Sequence, residues 1–365
     1  MEKIQQLQTH LVEQNLDMAI ITTPDNIFYF SKFASDPHER LLALVVFKEA
    51  EPFIICPAME VPDVKATGFP YEVVGHADTD NAWDIVAATV AKRNVALGTI
   101  AIEKAQLTVE RYEALQGMYP EAGFVRIDEK VNAMRVVKSE VEVAILRRAA
   151  EMADFAIEVG CDALAEGKTE MEVLNEIESA VKAKGYSMSF DTMVLFGEKS
   201  ASPHGIPGDR KLAVGDMVLF DLGVLVDGYC SDITRTVAFG AVNDKQKEIY
   251  EAVLAANMAA IALVKPGVRA MDLDKAARDE ITNAGFGEYF THRLGHGLGI
   301  SVHEFPSIHG ANEMPLEEGM VFTIEPGVYK SDVTGVRIED DVVVTADGVE
   351  ILTKFTKDLI IVAAK

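Results

Sequence analysis

Five side chains set among apolar residues are placed to do chemistry: Asp221, Asp232, His296, Glu325 and Glu339. The two aspartates lie in MVLFDLGVLVDGYCSDITRTVAF, where β-rich runs flank Asp227-Gly228, a hairpin signal. With a loop running from Leu225 to Gly228, Val224 faces Tyr229 and Asp221 falls opposite Asp232. Directly opposed positions put Cβ atoms about 5 Å apart. Two carboxylates at that distance repel unless cations lie between them. They would tolerate one another on a solvated sheet face, but Val218, Leu219, Phe220 and Leu222 indicate burial.

The second segment is THRLGHGLGISVHEFP, which holds His292, His296 and His303, three of the chain's 8 histidines. Gly295, Gly297 and Gly299 argue against a helix and for close backbone approach. In VFTIEPGVYKSDVTGVRIEDDVVV, Glu325 ends one apolar run and Glu339 lies in another. Arg337, two residues before Glu339, shares its strand face and could serve it as a plain ion-pair partner. Four carboxylates balance the charge of two divalent ions, leaving a bridging hydroxide as the fifth anion, and one imidazole adds a nitrogen ligand. Oxygen-rich ligation favours Mn²⁺, with Co²⁺, Fe²⁺ or Zn²⁺ as alternatives. Paired divalent ions make a hydroxide nucleophile and stabilise a tetrahedral oxyanion. His204, in SASPHGIPG, lies in a loop upstream of the Asp221 strand and by itself reads as a surface histidine.

The elements that must carry these residues follow from pattern. Helix is expected over 2–15 and 82–92, and strands at DMAIIT (17–22), LLALVVF (41–47), PFIICP (52–57) and within VALGTIAIE (95–103). Such alternation describes a small α/β domain, here residues 1–128. Ser139 and Glu142 form a capping box opening a long helix, with a stripe at Ile145, Leu146, Ala149, Met152, Ala153 and Ala156. Gly167 to Gly185 and Gly267 to Gly285 are equal in length, and each follows a long amphipathic segment (139–163 and 245–264). Residues 129–365 therefore read as a duplicated half-domain with pseudo-two-fold symmetry and a site at the junction.

The chain has 365 residues, long for a single core, with 49% apolar and 25% charged residues. A formal charge of −24 disfavours nucleic acid and anionic lipid as partners. Three scattered cysteines, an opening segment without an apolar signal region and the lack of a membrane-length apolar run lead us to expect a soluble cytoplasmic protein.

The motifs resemble the pita-bread metallopeptidases, which include methionine aminopeptidase, aminopeptidase P and Xaa-Pro dipeptidase. The likeness rests on the Asp221/Asp232 pair, HRLGHGLG around His296, TIEPG around Glu325 and GVRIED around Glu339, and spans roughly residues 139–360. An N-terminal α/β domain sets aminopeptidase P and prolidase apart from methionine aminopeptidase. DPHER (36–40), FKEAEPFIICPAME (47–60) and the total length look closest to short bacterial prolidases. The resemblance implies an α/β N-terminal domain followed by an α+β pita-bread catalytic domain.

It also implies roles. Asp221 would bind one metal, His296 and Glu325 the other, and Asp232 and Glu339 would bridge them. His204 would meet the substrate or its oxyanion, and His303 the proline side of the scissile bond. His292 and Arg337 would hold the substrate carboxylate or support the metal shell, and Glu325 would accept the proton. Phe190 and Val302 are assigned to the apolar wall on nearness alone. The DPHER loop reads as a solvated turn. The family's habit of dimerising offers Asp36 or His38 a gating role at a partner's site. The expected activity is Xaa-Pro dipeptide cleavage by a homodimer. Aminopeptidase P and a catalytically silent binding module are the alternatives.

Overall fold

In a computed structural model that describes residues 2–364, the chain divides after Met134 into two compact units. The break lies inside the helix Asp128–Val136.

The N-terminal unit is built on a six-stranded mixed sheet. Its central strand, Met18–Ile21, pairs antiparallel with Ala43–Phe47 and parallel with Thr99–Ile102. Met18–Ile21 and Ala43–Phe47 are uninterrupted apolar runs, and Thr99–Ile102 is apolar after its first residue, because both faces are covered, by helices such as Glu2–Glu13 and Ala82–Ala91. The expected strands and helices of this region are present with ends trimmed by one to four residues.

The C-terminal unit is a doubled motif. Helix Glu140–Ala163 is followed by Glu170–Ala183, and helix Asp244–Leu263 by Ala270–Asn283. The Ser139–Glu142 capping box closes in both directions, as the sequence predicts. The repeat extends to single backbone bonds. Gly167 and Gly267 adopt φ of 82° and 86°, and Gly185 and Gly285 of 87° and 85°, left-handed turns that end or join helices cheaply only in glycine. Gly167 N–H donates to Leu212 at 2.9 Å, and Gly267 N–H to Leu316 at 2.8 Å.

Each helix pair covers a sheet. The first lies on the sheet containing Met193–Phe196, Met217–Leu222 and Ile233–Phe239. The second lies on the sheet containing Gly295–Gly297, Val321–Ile324 and Asp340–Val344. Contact is close: a Cβ at Gly160 would lie 2.9 Å from the Phe220 ring and 3.0 Å from Ile177, so the helix needs glycine there to seat on its sheet. Full burial of Phe220 contributes roughly 2–3 kcal/mol of apolar transfer.

One register differs from the sequence expectation. The hairpin turn is the two residues Asp227 and Gly228, not four, and Val226 pairs with Tyr229. Both turn residues have positive φ (48° and 80°), the type I′ geometry whose twist matches the flanking strands. Asp221 consequently pairs with Thr234, and Asp232 stands two residues earlier on the same side. The two carboxylates are diagonal neighbours rather than direct ones.

Candidate active site

The five acidic and imidazole side chains converge where the two halves meet. Asp221 leaves the strand Met217–Leu222, and Asp232 immediately precedes Ile233–Phe239. His296 is the middle residue of Gly295–Gly297, and Glu325 follows Val321–Ile324. Glu339 sits in the break between Thr334–Arg337 and Asp340–Val344. Asp232, His296 and Glu339 are 4%, 3% and 2% exposed, and they offer ligand atoms within 4.8 Å of one another. His296 Nε2 lies 3.2 Å from Glu325 Oε1 and 3.7 Å from Asp232 Oδ2.

The glycines flanking His296 are required by contact. A Cβ at Gly295 would fall 2.0 Å from the Thr323 carbonyl oxygen, and one at Gly297 would fall 1.9 Å from that of Phe305. Any side chain there would push the His296 strand out of the sheet.

Three of the four carboxylates are held by a neighbouring side chain, and Asp232 is held through its backbone. Thr234 donates to Glu339 Oε2 at 2.6 Å, and Thr323 to Glu325 Oε1 at 3.1 Å. Asp341 accepts the Asp232 backbone N–H at 3.0 Å. The Arg337 guanidinium donates to Asp221, to Thr234 Oγ1 at 3.0 Å and to the Tyr329 hydroxyl at 2.8 Å. Tyr329 in turn meets His292 Nε2 at 2.9 Å. Arg337 therefore pairs with Asp221, and its link to Glu339 runs through the Thr234 hydroxyl.

The sequence reading did not identify Thr234, Thr323, Asp341 or Tyr329. A signal for three of them was available. They stand two residues from Asp232, Glu325 and Glu339 respectively, on the same strand face, as polar residues in apolar runs.

Burial and mutual repulsion dominate the electrostatics. Desolvation first, then Glu339, Asp221 and Asp341, hold the Asp232 carboxyl well above the ordinary range. Desolvation, Glu325 and Asp221 do the same to Glu339. Burial opposes ionisation of Glu325 too. The hydrogen bond and charge of His296, with Arg337 and His292, outweigh it and hold that carboxyl low.

These groups line a cavity of about 940 Å³, large enough for a small peptide. Phe190, His204, His292, Val302, His303 and Arg337 also line it, as does Arg293, which the sequence reading passed over. The His303 ring stands edge-on to His296 with centroids 4.1 Å apart. Desolvation, His296 and Arg293 push its pKa down to about 4. Asp36 and His38 belong to the N-terminal unit. Their side chains are 82% and 70% exposed and pair with each other at 3.5 Å, as a solvated turn would.

Residues 144–346 match Metallopeptidase family M24, and residues 3–137 match the Creatinase/Prolidase N-terminal domain. The chain belongs to the M24 metallopeptidases. It is 51% identical to the Bacillus subtilis protein named "Putative dipeptidase YkvY", over 99% of this chain and 100% of that one. Its fold is similar to that of a Xaa-Pro dipeptidase from Bacillus anthracis (36% identity, TM-score 0.92, 99% of both chains). It is likewise similar to the prolidase from Pyrococcus horikoshii (35% identity, TM-score 0.91, 99% of this chain and 100% of that one). Membership of M24 makes this chain a peptidase and implies divalent metal ions.

The residues present fit such ions. Asp232 Oδ1 is buried without a hydrogen-bond partner among the described residues. Four carboxylates face one arginine and one imidazole, so the site lacks positive charge that cations would supply. The donor set of carboxylates and imidazole suits hard and borderline divalent ions.

Proposed function

We propose that this M24 peptidase hydrolyses Xaa-Pro dipeptides, with Asp221, Asp232, His296, Glu325 and Glu339 holding two divalent ions. The observation that carries the reading is the convergence of all five in one peptide-sized cavity, beside His303 and Arg293. In this assignment Asp221 would help hold one ion and His296 with Glu325 the other, while Asp232 and Glu339 would contribute to both. Manganese is the preferred ion because the set is rich in oxygen, with cobalt or zinc as substitutes. Bound divalent ions would supply a water of lowered pKa and Lewis acidity toward the carbonyl.

The protein's own groups do the rest. Glu325, held low in pKa and in contact with His296, accepts the proton of the attacking water. His303, with its pKa pushed down to about 4, is neutral near pH 7 and keeps one ring N–H that can donate to the developing oxyanion. His204, exposed on its loop and lining the same cavity, is assigned to the same oxygen. Proline nitrogen carries no N–H in the peptide, so the site need not offer it an acceptor. Phe190 and Val302 supply apolar surface for the first side chain.

The substrate carboxylate needs a cation. Arg337 is committed to Asp221, Thr234 and Tyr329, and it serves the metal shell. Arg293 lines the same cavity, and its Nη1 donates to Ser307 Oγ at 3.1 Å, an easily exchanged bond, so we assign it the carboxylate, with His292 beside it. The reading carries with it a cytoplasmic homodimer. Among the described residues no helix is long and apolar enough to cross a membrane.

Aminopeptidase P activity is the second reading. An X-Pro aminopeptidase from Thermotoga maritima shares the fold at 32% identity and TM-score 0.87, and about 940 Å³ exceeds what a dipeptide fills. Proline release from Leu-Pro, compared with leucine release from Leu-Pro-Pro, tests the choice. Cleavage of the dipeptide alone supports the proposal. Cleavage of the tripeptide in preference would replace it. A silent binding module is disfavoured because none of the five acidic and imidazole residues is missing.

A further inference from the structure

The loop that carries His303 has no ladder to hold it. Between Gly297 and Glu304, which pair across a register shift, the backbone makes bends rather than strand. What fills the inside of this loop is a carboxylate. Glu304 turns back, and its Oε1 accepts the Ser301 N–H at 2.9 Å. The same oxygen meets the Arg135 guanidinium, and Oε2 meets Lys138 Nζ at 3.3 Å. Arg135 also donates to Ser301 Oγ at 2.8 Å.

All three charged side chains are buried: Glu304 5%, Lys138 2% and Arg135 9% exposed. The backbone at Gly299 lies directly against them. A Cβ there would sit 2.9 Å from both Glu304 oxygens and 3.0 Å from Lys138 Cε, so a glycine is needed for the loop to wrap the group. Both ends of the arrangement are tied to the scaffold. Lys138 N–H donates to Gly319 at 2.9 Å, and Cys230 N–H to the Gly299 carbonyl at 2.7 Å. Val302 and His303 face the catalytic cavity from this loop.

A buried ion cluster is weak evidence for stability, since desolvation offsets most of its attraction. Two cations and a carboxylate enclosed by a bare loop suit a different task, the fixing of one loop geometry. We propose that Arg135, Lys138 and Glu304 form an internal clamp that holds residues 299–303 so that His303 stands over His296. Glu304 is thus a positioning residue for peptide hydrolysis, acting through His303. The inference rests on the reading above that His303 faces the reacting peptide.

The test is a double-mutant cycle on the metal-loaded full chain with Leu-Pro as substrate. Arg135→Met should lower kcat/KM by about 10- to 100-fold, the cost of misplacing a catalytic group by roughly an ångström. In a His303→Ala background the same change should cost less than about 3-fold, because coupled residues are not additive. An equal factor in both backgrounds overturns the clamp and leaves the His303 assignment standing. An inert His303→Ala overturns both. Ser301→Ala, which removes one hydroxyl acceptor, gives the same cycle with a smaller loss if Arg135→Met does not fold. A second readout needs no turnover. In metal-free protein the ring ¹⁵N–¹H signal of His303, identified by its loss in His303→Ala, should move in the clamp variant. A signal unchanged in position and width overturns the proposal.

Discussion

Thr234 donates its hydroxyl proton to Glu339 Oε2 across 2.6 Å, in a strand whose other members are buried. The hydroxyl accepts from Arg337 Nε on its other side, so it fixes which Glu339 oxygen faces the cavity. Thr234→Val keeps the shape and removes both bonds. Its expected consequence is divalent-ion affinity weakened by about 10- to 100-fold, as for other supporting partners of metal ligands. Calorimetric titration of stripped protein with Mn²⁺ measures it. Unaltered affinity would remove Thr234 from the metal shell.

The acidic cluster makes a pH prediction whose sign follows from its pKa directions. Asp232, Glu339 and Asp341 are all held well above their ordinary values, by burial first and neighbouring carboxylates next. Asp341 is also close to Asp340. Raised folded-state values mean that the metal-free fold binds protons that the unfolded chain has released. Its stability is full below the ordinary carboxylate range and falls as pH rises through the raised values. Glu325 is shifted the other way, so its contribution changes only below that range. The imidazoles of His292 and His303, held below their ordinary value by burial, act the other way up to about pH 6.5, so thermal unfolding of stripped protein should shift to lower temperature from pH 7 toward pH 8, and saturating metal should flatten the curve. A stripped protein that gains stability over that window would contradict the cluster's electrostatics.

His303, with its pKa pushed down to about 4, is neutral wherever the enzyme is assayed near pH 7. His303→Ala should lower kcat by about 10²–10³-fold, the usual effect of losing an oxyanion donor. The pH–rate profile above about pH 5 should keep its shape. A lost transition between pH 6 and 7 would assign that transition to His303 and refute its neutral role.

Arg293 is assigned the substrate carboxylate. Arg293→Met should raise KM for Leu-Pro by about 10- to 100-fold, the worth of a charge-assisted bond, with less change in kcat. Leu-Pro amide, which lacks the charge, should be cut by both proteins with similar KM. Equal losses on both substrates would make Arg293 a structural residue.

The convergence of the buried acidic residues could be anticipated from the sequence because a carboxylate inside an apolar strand is costly unless it is used. Asp221, Glu325 and Glu339 stood out on that ground, whereas His296 was marked by the clustered histidines and by the flanking glycines, whose tight approach the Thr323 and Phe305 carbonyls supply. The duplicated halves were legible in Gly167, Gly185, Gly267 and Gly285, since a left-handed turn leaves glycine as its trace. The hairpin register was misread by two residues because Asp-Gly turns of two and four residues look alike in sequence. Threonine in a strand is ordinary, so Thr234 and Thr323 were marked only by their two-residue spacing from Asp232 and Glu325. Arg135 and Lys138 lie 169 and 166 residues from Glu304, and no local pattern links residues so far apart.

The central claim is that this site hydrolyses a Xaa-Pro bond with metal ions held by Asp221, Asp232, His296, Glu325 and Glu339. Its most direct test is Leu-Pro hydrolysis by chelator-stripped protein titrated with Mn²⁺, run beside Glu339→Gln. The account predicts no turnover in stripped protein and activity that rises up to about two equivalents of metal. The glutamine variant should bind metal weakly and remain inactive. Full activity without metal, or full activity in Glu339→Gln, would contradict it.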